Sequence, residues 1–189
     1  MHPSRSDPTE AYDRTLNIVF ALIVVAAYVQ TLTSFTDALT TPITLAMLGI
    51  GFIYILIGIY GIKWFVESNS LWMNLLYIAI QIALIVILHF LTPISVGLWM
   101  MPLPLLGQSV IMLPRRWTLL VGILIMALFL IPAALQAGLS NTISFAFAYS
   151  SAILFVAIFT YIFASEHRAR AMVEHLADEL SEANQELRL

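Results

Sequence analysis

The eight Lys and Arg residues of this 189-residue chain alternate across its apolar runs: Arg5 and Arg14, then Lys63, then Arg115 and Arg116, then Arg168, Arg170 and Arg188. Six apolar stretches lie beside and between them, near 15–34, 42–63, 71–91, 94–113, 117–137 and 143–164, and the connections after the first, third and fifth carry neither Lys nor Arg. A helix needs about 20 apolar residues to cross the hydrocarbon of a bilayer, and connections that keep their cations stay on the cytoplasmic side. The pattern predicts an all-α fold: a six-helix transmembrane bundle, both termini cytoplasmic, with the last helix extended into a cytoplasmic coiled coil. Trp64, Trp72 and Trp117 fall at the expected cytoplasmic boundary, where amphipathic rings settle.

The chain is 61% hydrophobic and 10% charged, against about a quarter charged in a soluble domain. Three parts are expected: a cytoplasmic tail (1–14), the bundle (15–165) and a cytoplasmic helix (166–189). Cys is absent, which excludes disulfides and thiolate metal sites. None of the six stretches has Asp, Glu, Lys or Arg in its interior, and proton relays and coupling-ion sites usually depend on such groups. There is no Gly-rich phosphate loop, no Ser/His/Asp order, no metal quartet and no basic patch for nucleic acid. The sequence therefore predicts no catalytic residue, no cofactor, no metal and no nucleic-acid partner in this segment. The outer connections, roughly Phe35–Thr41, Thr92–Pro93 and Gly138–Thr142, carry Asp37 as their one formal charge. With no outer domain, a stimulus must act through membrane lipid, through the bundle itself or through another membrane protein.

Polar residues recur on one face of the third stretch: Asn74, Tyr77, Gln81 and His89. One reading is hydrogen bonding between helices, with Gln108, Gln136, Tyr149, Ser150 or Ser151 as partners. The other is a signal-sensing cluster. His89, near the outer boundary, is expected to snorkel rather than ligate a metal. In the fourth stretch, which runs to Gln108, Pro102 and Pro104 each remove a helical hydrogen bond, so a kink or local unwinding is expected, serving either as a hinge or ligand-lined break or as an ordinary proline kink. Gly49, Gly51, Gly58 and Gly61 in the second stretch predict close approach of another backbone.

From Thr142 to Leu189 there is neither Gly nor Pro, so an unbroken helix on the order of 70 Å is expected. Gly138 is its upstream terminator, and Ser140 or Asn141 its N-cap. Its far end carries a heptad seam, Ala169, Val173, Leu176, Leu180, Ala183 and Leu187, with spacings of four and three. Val and Leu at these positions suit a parallel homodimer. A helix lying on the membrane is the alternative, but its polar face is mainly acidic and anionic lipid would repel it. His175 and Glu179 read as a solvated surface pair. The chain ends in mid-heptad at Glu186-Leu187-Arg188-Leu189, so an output domain is expected beyond it.

The run Leu176-Ala177-Asp178-Glu179-Leu180-Ser181-Glu182-Ala183-Asn184-Gln185-Glu186-Leu187 resembles the signalling helix of bacterial sensor histidine kinases. Leu103-Pro104-Leu105-Leu106-Gly107-Gln108, followed by Leu113-Pro114-Arg115-Arg116-Trp117, is similar to the multi-spanning sensor regions of kinases that partner with LuxR-type response regulators. The resemblance implies the input module of an ATP-dependent histidine kinase in the inner membrane, acting on a response regulator through a kinase domain outside this segment. Neither His167-Arg168 nor His175-Leu176 matches the family's phosphoacceptor box, so no catalytic residue carries over. Two alternatives stay open: the input module of a cyclic-nucleotide synthase, and a small permease.

Overall fold

The computed structural model describes residues 8–34, 41–68, 70–92 and 97–186. The described chain is almost entirely helical and contains no strand among the described residues. Its elements are α1 (Pro8–Ser34), α2 (Thr41–Leu56), a π-helical turn (Ile57–Gly61), α3 (Ile62–Glu67), α4 (Leu71–Leu91), a 3-10 turn (Leu98–Met100), α5 (Pro102–Met112) and α6 (Arg115–Glu186). Four segments are long and apolar enough to cross a membrane: Pro42–Gly61, Leu71–Leu91, Arg115–Leu135 and the apolar part of Thr142–Gln185. Asn17–Thr33 and Leu98–Met112 are apolar but shorter. These features mark a membrane protein.

Helical periodicity decides which face each segment buries. In α1, Phe20, Val24, Ala27, Tyr28 and Thr31 are buried while Leu22, Val25 and Val29 are exposed. In α4 the buried stripe is Asn74, Tyr77, Ile78, Gln81, Ile85 and Leu88. Spacings of three and four put each set on one side of its helix. The core where they meet is capped by Tyr54, Leu98, Met101 and Leu105, all fully buried. Phe20 stacks on Tyr54 at 5.5 Å between ring centroids. Trp64, Trp72 and Trp117 are all exposed.

The fourth helical run differs from its expected form. Leu98–Met112 measures about 22 Å at 1.5 Å per residue, shorter than the roughly 30 Å of a hydrocarbon core. The two prolines do not bend a long helix: Pro102 stands at the first position of α5 and Pro104 in its first turn, where a missing N–H breaks little. The tightening falls just before them, where Met100 N–H and Met101 N–H donate to the carbonyls of Gly97 and Leu98. At the other end Leu113 is extended, as a residue ahead of proline must be, and Pro114 stands just before α6.

α6 is two helical arms broken at Gly138 alone (φ 78°, ψ 165°). The arms fold back on each other. Phe129 and Tyr149 lie on opposite sides of the break with ring centroids 5.6 Å apart, which a continuous rod would separate by about 30 Å. A left-handed φ is open to glycine without steric cost. Thr142 Oγ1 donates to the Gly138 carbonyl at 2.8 Å, so the connection expected over Gly138–Thr142 contracts to one residue. Ser140 and Asn141 have helical backbone and are not N-caps. The expected connections over 35–40 and 93–96, and Leu187 of the seam, lie outside the described residues.

The glycines divide sharply. A side chain at Gly51 would run into the Tyr28 ring, and one at Gly58 into the Phe20 ring. These glycines admit aromatic rings rather than another backbone. Gly49 has open space around it, and Gly61 has ordinary contacts beyond a slightly tight one to Ile57 of its own helix. The close backbone approach is at Gly97, which sits against the Ala27 carbonyl and the Thr31 hydroxyl of α1.

Candidate functional site

Tyr77 and Gln81 of α4 converge on the point where the second helical run loses its regular ladder. A π-turn shifts the backbone hydrogen bonds by one residue and turns carbonyls out of register. At this turn the Gly58 carbonyl accepts from Gln108 Nε2 at 3.1 Å. Gln108 Oε1 in turn accepts from the Tyr77 hydroxyl at 2.7 Å, and that hydroxyl lies 3.4 Å from the same Gly58 carbonyl. The amide of Gln108 has only one orientation compatible with both partners: oxygen toward the hydroxyl, nitrogen toward the carbonyl.

One turn earlier, Gln81 Nε2 donates to the Tyr54 carbonyl at 3.3 Å. The Tyr54 side chain reaches the other way and donates to the Met101 carbonyl at 2.9 Å. Met101 stands immediately before the first proline of α5, so this bond ties α2 to the start of α5. α2, the π-turn, α4 and α5 are thus tied by side chain to carbonyl bonds around a fully buried Gln81. Each is worth roughly 0.6–2 kcal/mol in a membrane setting.

Asn74 has a separate job. Its Nδ2 donates to the Met112 carbonyl at 3.1 Å, satisfying one of the unpaired carbonyls that every helix end leaves. Thr118 Oγ1 donates to the Ser109 carbonyl at 3.1 Å, which also accepts from the Leu113 N–H. The turn from α5 into α6 is therefore pinned from both α4 and α6.

A second cluster gathers around Tyr149 of α6. Tyr149, fully buried, stacks on Phe145 (5.6 Å, 12° between planes) and meets Phe129 at 5.6 Å and the edge of Trp99 at 6.0 Å. His89 is half-buried and packs on α6, edge-on to Phe129 at 6.1 Å. Four buried polar atoms have no hydrogen-bond partner among the described residues: Asn74 Oδ1, Gln81 Oε1, His89 Nδ1 and Tyr149 Oη. Each costs about 1–3 kcal/mol if left unpaired.

Of the residues singled out in the sequence, Gln81 and Gln108 enter this network and Pro102 and Pro104 flank it. Asn74 and His89 stand apart, one capping a helix and the other among aromatics. Among the described candidate partners for the α4 stripe, Gln108 alone bonds to it; Ser151 turns back to its own Phe147 carbonyl, and the side chain of Gln136 lies outside the described set. Tyr54 and the Gly58 carbonyl were not legible as partners, although Gly58 and Gly61 mark where an apolar helix can deform. Uncharged amides, phenols and carbonyls can reorganise hydrogen bonds but hold no nucleophile and base pair. No group of three His, Cys, Asp or Glu able to hold a metal occurs among the described residues.

Beyond the bundle, α6 continues alone. Val173 and Leu180 are 66% and 65% exposed, and Ala169, Leu176 and Ala183 are exposed beside them. Glu166 pairs with Arg170 one turn on, and His175 Nδ1 lies 3.4 Å from Glu179, both pairs open to solvent. Comparison with known proteins returned no matching protein family, no matching curated protein and no matching solved structure.

Proposed function

We propose that this chain is the membrane input module of a two-component histidine kinase, crossing the cytoplasmic membrane six times with both termini inside. It dimerises in parallel through the seam of α6 and passes a membrane-borne signal along that helix to a kinase domain beyond Leu189, and from there to a response regulator. The observation that carries the reading is the second arm of α6. It is packed into the bundle through Tyr149 and Ile153 and runs without a backbone break to Glu186. A rigid helix anchored at one end and bare at the other transmits displacement or rotation. The hydrogen-bond network at the π-turn supplies two-state character, since amides and hydroxyls exchange partners in a stepwise manner, and the unpaired Gln81 Oε1 offers an acceptor to a competing donor.

The reading is tested by joining the chain in heptad register to a kinase catalytic module and measuring autophosphorylation with ATP in proteoliposomes. One residue inserted after Arg170 rotates everything downstream by about 100° and should change the rate severalfold. Seven inserted residues restore the phase and should restore the rate. Equal activity with no insertion, one and seven would overturn the proposal.

A further inference from the structure

The second arm of α6 has two faces. Tyr149 and Ile153 are buried against the bundle, and Val156 and Thr160 lie closest to Gly107 of α5. These four, spaced four, three and four, form the inward face. Phe155, Phe159 and Ile162 lie on another face, exposed by 67%, 60% and 56%, with the first two rings stacked at 5.7 Å. At about 100° per residue this outer face is turned roughly 125° from the inward one.

Phe155, Phe159 and Ile162 are spaced four and three, and the same alternation continues through Glu166 to Ala169, Val173, Leu176 and Leu180. The seam of the tail and the outer aromatic face are one stripe. Gly138 is the only non-helical residue in α6, so no joint separates the two portions and their rotational phase is locked. A straight helix drifts from a heptad repeat by about 20° per heptad, which leaves the two portions of the stripe overlapping. Two copies inserted in one membrane share an orientation, so their last helices run parallel.

We infer that a second copy of this chain occupies the whole stripe, so that the dimer interface extends from the seam up into the membrane across Phe155, Phe159 and Ile162. The inference rests on the dimeric reading above and adds where the partner sits. The paired last helices form the centre of the dimer, and each bundle lies on the outside, attached through Tyr149, Ile153, Val156 and Thr160. Glu166 is the one charged residue in the stripe. Its bond to Arg170 on the same helix lets two copies approach without bringing bare carboxylates together.

The absence of native Cys makes a direct test possible. Single Cys variants of the full chain in membrane vesicles are oxidised with copper phenanthroline and scored for disulfide-linked dimer, which needs Cα atoms within about 7 Å. Positions Phe155, Phe159 and Ile162 test the membrane part, and Val173 and Leu180 test the seam. Leu154 and Tyr161 serve as controls, being exposed by 59% and 62% but off the stripe. Linking at the three membrane positions at least about tenfold above the controls, together with linking at the seam, supports the inference. Seam linking with membrane positions no better than controls overturns it and leaves the dimeric reading standing. No linking at Val173 or Leu180 overturns both.

Discussion

The network at the π-turn and the bare end of α6 are built from opposite materials. Around Gln81 and Gln108 the helices are held by bonds from side chains to carbonyls on neighbouring elements, so sequence-distant groups fix one another. Past Arg170 the described hydrogen bonding is that of the helix itself, and the apolar side chains face outward. The first region specifies a conformation within one chain. The second leaves its apolar groups exposed among the described residues, and damage to the two should be separable.

The largest effect is expected at Gly97. A side chain there meets the Ala27 carbonyl, part of the α1 backbone, as well as Thr31. Backbone cannot rotate out of the way as a flexible side chain can, so Gly97→Val should cost on the order of 3 kcal/mol or more. Thermal unfolding in detergent micelles measures it. An unchanged midpoint would mean that α1 and the turn before α5 are not packed as described.

Tyr54→Phe comes next. It removes only a hydroxyl, but the Met101 carbonyl beneath it then loses a buried donor, at a cost of about 1–3 kcal/mol. Gln81→Leu makes a useful contrast, because it removes one unpaired oxygen along with one bonded nitrogen and should cost less than Tyr54→Phe. A larger loss from Gln81→Leu would show that Gln81 Oε1 is paired in the membrane.

Tyr77 and Gln108 can be tested together. The hydroxyl and the amide are 2.7 Å apart, so Tyr77→Phe and Gln108→Leu should be non-additive. A double-mutant cycle should give a coupling of roughly 0.6–1.7 kcal/mol, the range found between membrane helices. Additive losses would separate the two residues and remove the link between α4 and α5.

Much of the bundle was legible because helical periodicity and glycine chemistry are written in side chains. The stripe of Asn74, Tyr77 and Gln81 turned inward as spacing required, and Gly138 took the left-handed backbone that ends an arm. What could not be read were partners that are backbone atoms. The Gly58, Tyr54, Met101 and Met112 carbonyls have no signature in the sequence, since every residue has one. Which carbonyls are available depends on where the ladder breaks. The π-turn was therefore invisible, and with it the reason Gln108 bonds where it does. Pro102 and Pro104 marked where the run becomes irregular but not its form: proline disrupts a helix interior but suits a first turn, and only the location of the helix start distinguishes the two. The aromatic cluster on Tyr149 was missed because phenylalanines in an apolar helix look alike whether they face a partner or lipid.

Gly49 offers a smaller effect of opposite sign. Nothing lies within 4 Å of a side chain placed there, so Gly49→Ala should stabilise the helix by roughly 0.5–1 kcal/mol through lower unfolded-state freedom. Against Gly51, where a side chain would strike Tyr28, it separates packing glycines from tolerated ones.

The smallest expected effect on the bundle is also the sharpest test of the contrast between its two regions. Leu180 is 65% exposed and lies far along α6 from the bundle, so Leu180→Asn should change the unfolding midpoint of the bundle by no more than about 0.5 kcal/mol in free energy, mainly helix propensity. In the proposed dimer the same substitution puts two amides into an apolar layer, so sedimentation in detergent should show a weakened dimer while near-ultraviolet circular dichroism of the buried tyrosines stays unchanged. If the bundle signal falls together with the dimer, the two regions fold as one unit and each protomer depends on its partner. If neither changes, the exposed seam is not where the second copy sits.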